Sequence, residues 1–193
     1  MPTLKNATIE YNSYDYWFNS NHIRGGESYK SRYIFEGLIS KIDIPATGYC
    51  VQLGVHTGFT LNLMKKHFGE DRVVGIDLYN YNNDPCVRCI DINNIDFDLP
   101  LAYAENDVGW ASIDPEPRYN AFIWSIKNLV PGGKLLTTSN VANDSFKRPV
   151  EDICIEYNCS WARLDTFSEE RWAKYIDEKT EWSTSTMMLV IKN

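Results

Sequence analysis

The sequence lacks the features that would place it in several large protein classes. It has no run of about 18 apolar residues that could cross a bilayer as a helix. Its start, residues 1–20, lacks the basic stretch and apolar run of a secretory signal. Basic residues are not in excess, since 19 Lys and Arg stand against 26 Asp and Glu, for a net charge of −7. We therefore expect a soluble, cytoplasmic protein without a membrane partner, and nucleic acid is a disfavoured partner because phosphate binding depends largely on Lys and Arg.

A disulfide framework and a dinucleotide fingerprint are also missing. The cysteines number 5, an odd count without regular spacing, which argues against a disulfide scaffold. Cys86 and Cys89 form a C-x-x-C pair, but no second pair follows at zinc-ribbon spacing, so we interpret them as ordinary thiols flanking a strand. No G-x-G-x-x-G motif is present, which disfavours NAD enzymes.

Strand-like and helix-like patterns alternate along the 193 residues, which suit one domain. The alternation predicts an α/β fold, a three-layer sandwich around a mostly parallel sheet. The last two strands have no helical crossover between them, so we expect antiparallel pairing at one edge. The polar and aromatic segment 1–27 would pack on the domain or cover a ligand as a lid, and it could mediate a homodimer. The predicted strands are 49–53, 72–77, 87–90, 99–104, 134–138, 161–164 and 187–191, and the predicted helices are 28–42, 60–68, 118–129, 146–157 and 168–178.

Three successive strands end in residues suited to a nucleoside. In open α/β sheets, ligands lie beyond the carboxyl ends of the strands. Gly54 and Gly58 follow the first strand, and their missing side chains let the backbone approach a ligand. Asp77 ends the second strand, where an acid can accept hydrogen bonds from ribose hydroxyls. Asp91 follows the third strand and is a suitable acceptor for an adenine amino group. The order of these groups predicts a nucleoside-containing ligand.

These motifs resemble the class I S-adenosylmethionine (SAM)-dependent methyltransferases over residues 30–193. The stretch 52–60 is similar to the first motif of that family, and 129–136 is similar to its L-x-P-G-G-x-L turn before the fifth strand. The resemblance implies a Rossmann-like, seven-stranded sheet with an antiparallel C-terminal edge strand, SAM as cofactor and methyl transfer as the activity. The cofactor contacts that it implies are Gln52, Gly54, His56, Gly58, Asp77 and Asp91.

Two residues depart from the first motif. Gln52 stands where the family usually has an acid, and His56 stands where it usually has a glycine. A bulky residue at the second position is similar to the catechol and caffeoyl-coenzyme A O-methyltransferase-like branch, which implies a small-molecule acceptor methylated at oxygen. His56 would contact the cofactor, act as a base or occupy a loop position, and we favour cofactor or loop contact.

The same branch has magnesium ligands after the fourth and fifth strands. Glu105 and Asp107 follow the predicted fourth strand and Asn140 follows the fifth, so these three are the candidates to border the acceptor and take part in catalysis. Ser139 replaces the acid expected beside Asn140, and a hard cation prefers carboxylate oxygens, which disfavours bound Mg²⁺. Two further hypotheses remain: a non-catalytic binding module with this fold, and an enzyme that uses SAM for other chemistry.

Overall fold

The computed structural model describes residues 39, 42–55, 58–106, 116–137, 150–164 and 187–193. The predictions for the segment 1–27 and the helix 168–178, and most of the helix 28–42, lie outside the described residues. Three candidate site residues also lie outside the described residues: His56, Asp107 and Asn140. Ser139, the neighbour of Asn140, lies outside them too.

Every strand predicted from the sequence is present within the described ranges. The strands are β1 (Tyr49–Leu53), β2 (Val73–Asp77), β3 (Val87–Cys89), β4 (Leu101–Asn106), β5 (Leu129–Thr137), β6 (Cys159–Leu164) and β7 (Met187–Lys192). The α-helices are α1 (Phe59–Phe68), α2 (Glu116–Asn128) and α3 (Val150–Glu156). Gly69 ends α1 with a φ of 92°, and its N–H donates to the Lys65 carbonyl, as expected of a glycine that follows a helix.

The strands form one sheet in the order β3-β2-β1-β4-β5-β7-β6. The neighbours from β3 to β5 pair in parallel, whereas β7 runs antiparallel to both β5 and β6. The predicted α/β class, the mostly parallel sheet and the antiparallel pairing of the last two strands are therefore confirmed. The C-terminal strand β7 lies one place in from the end of the sheet, so β6 is the outermost strand.

Two apolar cores cover the two faces of this sheet. Val51 and Leu53 of β1 belong to the core that also contains the buried residues of α2 and α3. Cys50, from the same strand, belongs to the opposite core with Leu61 and Met64 of α1. Burial of β1 on both faces is typical of a parallel sheet with helices on either side, and it confirms the three-layer arrangement.

Two predicted boundaries were wrong. β4 continues through Glu105 and Asn106, although we predicted that it ends at Ala104. β5 begins at Leu129 and includes the Pro-Gly-Gly stretch 131–133, which we predicted as a tight turn before the strand. Pairing with β4 passes from Leu129 directly to Lys134, so the intervening residues form a bulge within the strand.

The bulge explains why a glycine is needed near its end. A Cβ at Gly133 would lie 2.7 Å from the carbonyl oxygens of both Leu101 and Val130, which is too close for any side chain. The motif that resembles a methyltransferase turn therefore lets the backbone of β5 approach β4 closely. Bulges of this kind are hard to distinguish from turns in sequence, because Pro and Gly mark both.

Candidate functional site

The turn between β1 and α1 has the backbone conformation that its glycines suggest. Gly54 and Gly58 have φ angles of 83° and 79°, in the left-handed region that favours glycine. The Gly54 N–H donates to the Ile76 carbonyl at 2.9 Å, and the Gly58 N–H donates to the Val55 carbonyl at 2.9 Å. The N-cap residue of α1 is Gly58, which has no side chain to cap the helix. Because α1 follows the C-terminal end of β1, its first backbone N–H groups point toward the carboxyl edge of the sheet.

Asp77 ties this turn to the end of β2. Its Oδ2 accepts a hydrogen bond from the Val55 N–H at 2.7 Å. Its Oδ1 accepts from the Tyr79 N–H at 3.3 Å, in the segment that follows β2. The carboxylate thus lies between the glycine turn and the next loop, at the position where the sequence predicts a ribose-binding acid.

Asp91 lies beyond the adjacent strand. The Ile90 N–H donates to the Asp77 carbonyl at 2.9 Å, which brings the end of β3 beside the end of β2. The Asp91 carboxylate caps a short 3₁₀ helix, because it accepts from the Asn93 N–H at 2.9 Å and from the Asn94 side-chain amide at 3.1 Å. The structure therefore brings Gly54, Asp77 and Asp91 to one edge of the sheet.

Gln52 lies directly beneath the glycine turn. Its side chain is fully buried, and its Nε2 donates to the Gly54 carbonyl at 3.3 Å. Its Oε1 is buried and has no hydrogen-bond partner among the described residues. A buried acceptor without a partner costs about 1–3 kcal/mol. This oxygen is therefore suited to a donor supplied by a ligand.

Glu105 lies beside Gln52 rather than after the end of its strand. The two residues are register partners on β4 and β1, and both are fully buried. Burial raises the pKa of the Tyr103 hydroxyl, and the charge of the nearby Glu105 carboxylate raises it further. Glu105 is therefore an enclosed residue of the sheet at the base of the carboxyl edge.

One part of the site was missed by sequence reasoning. Residues 78–86, here called the tyrosine loop, follow Asp77 and were treated only as an Asn-rich loop. Leu78, Tyr79 and Tyr81 are exposed by 56%, 61% and 59%, and the two tyrosine rings lie 5.7 Å apart. Neighbouring exposed apolar side chains often mark a binding surface. The available signal was the cluster of large apolar residues immediately after the acid that ends β2.

The described residues do not provide a metal site. Within them, no group of three or more His, Cys, Asp and Glu side chains is arranged to hold a metal ion. Glu105 is the one described member of the set that the resemblance places near magnesium.

The C-x-x-C pair has the surroundings of ordinary thiols. Cys86 is half-buried, Cys89 is exposed, and both are free. Cys86 directly precedes β3 and Cys89 is its last residue, so the pair spans the strand rather than flanking it. As a separate observation, each helix in the described ranges is too short or too polar to span a bilayer.

Comparison with known proteins identifies the fold. No family model matches the chain, and no curated protein matches it in sequence. A SAM-dependent methyltransferase from Mesorhizobium loti superposes with a TM-score of 0.57 at 12% identity, over 87% of this chain and 100% of that one. An O-methyltransferase from Bacillus cereus, solved with S-adenosylhomocysteine (SAH), gives 0.54 at 16% identity, over 88% and 84%. An rRNA methylase from Streptococcus thermophilus gives 0.52 at 11% identity, over 83% and 96%. The chain therefore has the Rossmann-like fold of the class I SAM-dependent methyltransferases.

Proposed function

We propose that the protein is a SAM-dependent methyltransferase that acts on an oxygen atom of a small molecule. The observation that carries the proposal is the convergence of the glycine turn, Asp77 and Asp91 at the carboxyl edge of a methyltransferase fold. Nucleoside ligands of open α/β sheets bind at this edge. The solved structure with SAH among the similar folds supports SAM as the cofactor.

The nucleoside end of SAM would lie between β2 and β3. Asp77, whose two carboxylate oxygens accept from the Val55 and Tyr79 N–H groups, would lie beside the ribose and accept from its hydroxyls. Asp91 would accept from the adenine amino group. Leu78, Tyr79 and Tyr81 would cover the adenine ring with apolar surface, as aromatic side chains commonly do for bases.

The methionine end would lie over the glycine turn. Positive φ angles at Gly54 and Gly58 keep this backbone free of side chains, so that a ligand can approach it. The buried Oε1 of Gln52 would accept a hydrogen bond from the ligand's ammonium group. His56, in the same turn, would contact the cofactor.

SAM supplies a methyl group that is already activated by a positively charged sulfur, and its transfer leaves the former S–C bonding electrons on sulfur. The protein must mainly hold the acceptor oxygen in line with this methyl group. A hydroxyl acceptor also loses a proton, which a nearby base or water would take up. Asp107 and Asn140 are the proposed neighbours of the acceptor, and the enclosed Glu105 would lie behind them at the base of the carboxyl edge.

Two observations support a small acceptor methylated at oxygen. His56 at the middle of the first motif resembles the catechol and caffeoyl-coenzyme A branch, and an O-methyltransferase is among the similar structures. The net charge of −7 favours this acceptor over an RNA such as the substrate named for the S. thermophilus enzyme.

Calorimetry with SAH tests the cofactor site. We expect Asp77→Ala to weaken SAH binding by about 1.5–3 kcal/mol, the scale of a hydrogen bond to a charged group. Asp77→Asn keeps the size of the side chain and serves if the alanine variant does not fold. Asp96→Ala, at an exposed carboxylate, is the matched control and should bind as the native protein does. Native affinity in the folded Asp77 variants would remove this residue from the site.

Transfer of a labelled methyl group tests the reaction itself. Incubation of the protein with methyl-labelled SAM and a panel of small hydroxylated compounds should give labelled methyl ethers. Loss of SAM without any acceptor would indicate other SAM chemistry. No binding of SAM at millimolar concentration would favour a non-catalytic module of the same fold.

A further inference from the structure

The tyrosine loop is held in shape by its own hydrogen bonds. The Asn80 side chain donates to the Asp84 carbonyl at 2.8 Å and accepts from the Asp84 N–H at 2.9 Å. The Asp84 carboxylate accepts from the Cys86 N–H at 3.0 Å. The exposed tyrosines are therefore carried by a closed, hydrogen-bonded turn.

The loop is also attached to α1. The Lys65 ammonium lies 2.5 Å from the second oxygen of the Asp84 carboxylate, and the two side chains are only 14% and 18% exposed. The Asn82 side chain lies near the start of the helix, since a Cβ placed on Gly58 would be 3.5 Å from its amide nitrogen. The loop thus lies along α1 from the glycine turn to Lys65.

These attachments join two halves of the proposed SAM site. α1 continues directly from the glycine turn, whereas the tyrosine loop begins at Asp77 and leads through β3 to Asp91. Lys65 and Asp84 are the charged pair between them. A shift of Asp84 would therefore move the loop that carries Tyr79 and Tyr81 relative to the turn that carries Gly54 and Gly58.

We propose that Lys65 and Asp84 are positioning residues for the nucleoside end of the ligand. Neither is assigned a contact with SAM. Their ion pair sets the position of the tyrosine loop, and through it the affinity for adenosine. The inference rests on the proposed SAM site and adds two residues that affect ligand binding through the position of the tyrosine loop.

The physical reason is preorganisation. A loop that must be ordered when the ligand binds subtracts its ordering free energy from the binding free energy. Here the Asn80 and Lys65 contacts with Asp84 already order the loop, so its exposed apolar side chains are in position before a ligand binds. Loss of the ion pair would transfer that ordering cost to the binding step.

The test compares ligand affinity across matched variants by calorimetry with SAH and with adenosine. We expect Lys65→Met and Asp84→Asn each to weaken both ligands about two- to fivefold, because the loss cannot exceed what the ion pair itself contributes to ordering the loop. Lys65→Arg should restore binding, because it keeps the charge. Lys66→Met changes the exposed neighbouring lysine and should have no effect.

A double-variant cycle separates positioning from a general loss of stability. In a Tyr79→Ala/Tyr81→Ala background, the loss caused by Lys65→Met should disappear, because the loop no longer carries the apolar side chains that it positions. The melting temperature of each variant shows that the folded state is being measured. Persistence of the full loss in that background, or native affinity of Lys65→Met, would overturn the proposal. Failure of the native protein to bind SAH would remove the proposed function and this inference together.

Discussion

Gly75 shows how closely the glycine turn is packed on the sheet. A Cβ at this position of β2 would lie 2.7 Å from Val55 Cγ2 and 3.0 Å from Val87 Cγ2. Its backbone φ is not in the left-handed region, so the requirement for glycine is one of space. Val55 belongs to the same turn as Gly54 and Gly58 and donates its N–H to Asp77.

Gly75→Ala is therefore expected to destabilise the protein by about 1–3 kcal/mol, the usual cost of overpacking. Urea unfolding measures the change in the free energy of unfolding. The variant Val55→Ala removes the closest of these contacts, so Gly75→Ala should cost less in that background. A Gly75→Ala variant as stable as the native protein would show that Val55 and the glycine turn can move away from β2 without loss of stability.

The location of single polar residues is the least predictable feature at this scale. The acid at Glu105 suggested that β4 had already ended, because charged residues are rarely buried. The structure places Glu105 inside the strand, next to Gln52. Their burial depends on the neighbouring strand, which a local sequence pattern does not reveal. The strand-end position of Asp77 was predictable, since it follows the apolar residues of β2, whereas Asp91 lies two residues beyond β3.

At the scale of elements, the sequence predicts the order of strands and helices but not the conformation of the loops. Apolar periodicity and the glycine after α1 were sufficient to predict β1, α1 and β2 in order. The shape of the tyrosine loop depends on Lys65, which is 19 residues before Asp84 in the chain. The same holds for the bulge at 131–133, which is defined by pairing with β4. Such tertiary contacts have no local signature.

The ion pair between α1 and the tyrosine loop should give stability a defined dependence on pH. Burial raises the pKa of the Asp84 carboxyl, but the hydrogen bonds and the charge of Lys65 outweigh it, so the net pKa is lowered. Burial lowers the pKa of Lys65, but the contact with Asp84 outweighs it, so the net pKa is raised. Folding therefore favours the charged form of both groups.

The sign of the effect follows from these directions. The contribution of Asp84 is fully present above its unfolded pKa of about 3.9 and is lost as the pH falls through the folded value. The contribution of Lys65 is present below its unfolded pKa of about 10.4 and is lost as the pH rises through the folded value. We expect the native protein to exceed Asp84→Asn in free energy of unfolding by about 0.5–1 kcal/mol near neutral pH.

Urea titrations of both proteins between acid and neutral pH measure this difference. It should be constant near neutrality and shrink once the pH falls below about 4. Asn at position 84 can still accept from the Cys86 N–H, so the comparison removes the charge and the hydrogen bond to Lys65 but keeps this hydrogen bond within the loop. A difference that is unchanged in strong acid would show that ionisation of Asp84 is not its source.

At the scale of the whole molecule, the residues that stabilise the fold and the residues of the proposed site lie in different parts of the sheet. The two apolar cores lie on its faces, whereas the glycine turn, the tyrosine loop and Asp91 lie at its carboxyl edge. The class of fold was predictable because alternating elements with this spacing have few other arrangements. The acceptor was not, because acceptor pockets are formed by loops with no common pattern.

The net charge of the chain leads to a prediction about the methyl acceptor. RNA binding needs Lys and Arg to neutralise phosphates, and this chain has 26 acidic against 19 basic residues. We expect fluorescence anisotropy with a labelled single-stranded RNA to show no binding tighter than about 100 µM at physiological salt, the weak end of non-specific affinity. Micromolar binding that weakens steeply with salt would instead indicate an RNA substrate, and small hydroxylated acceptors would then not be the natural ones.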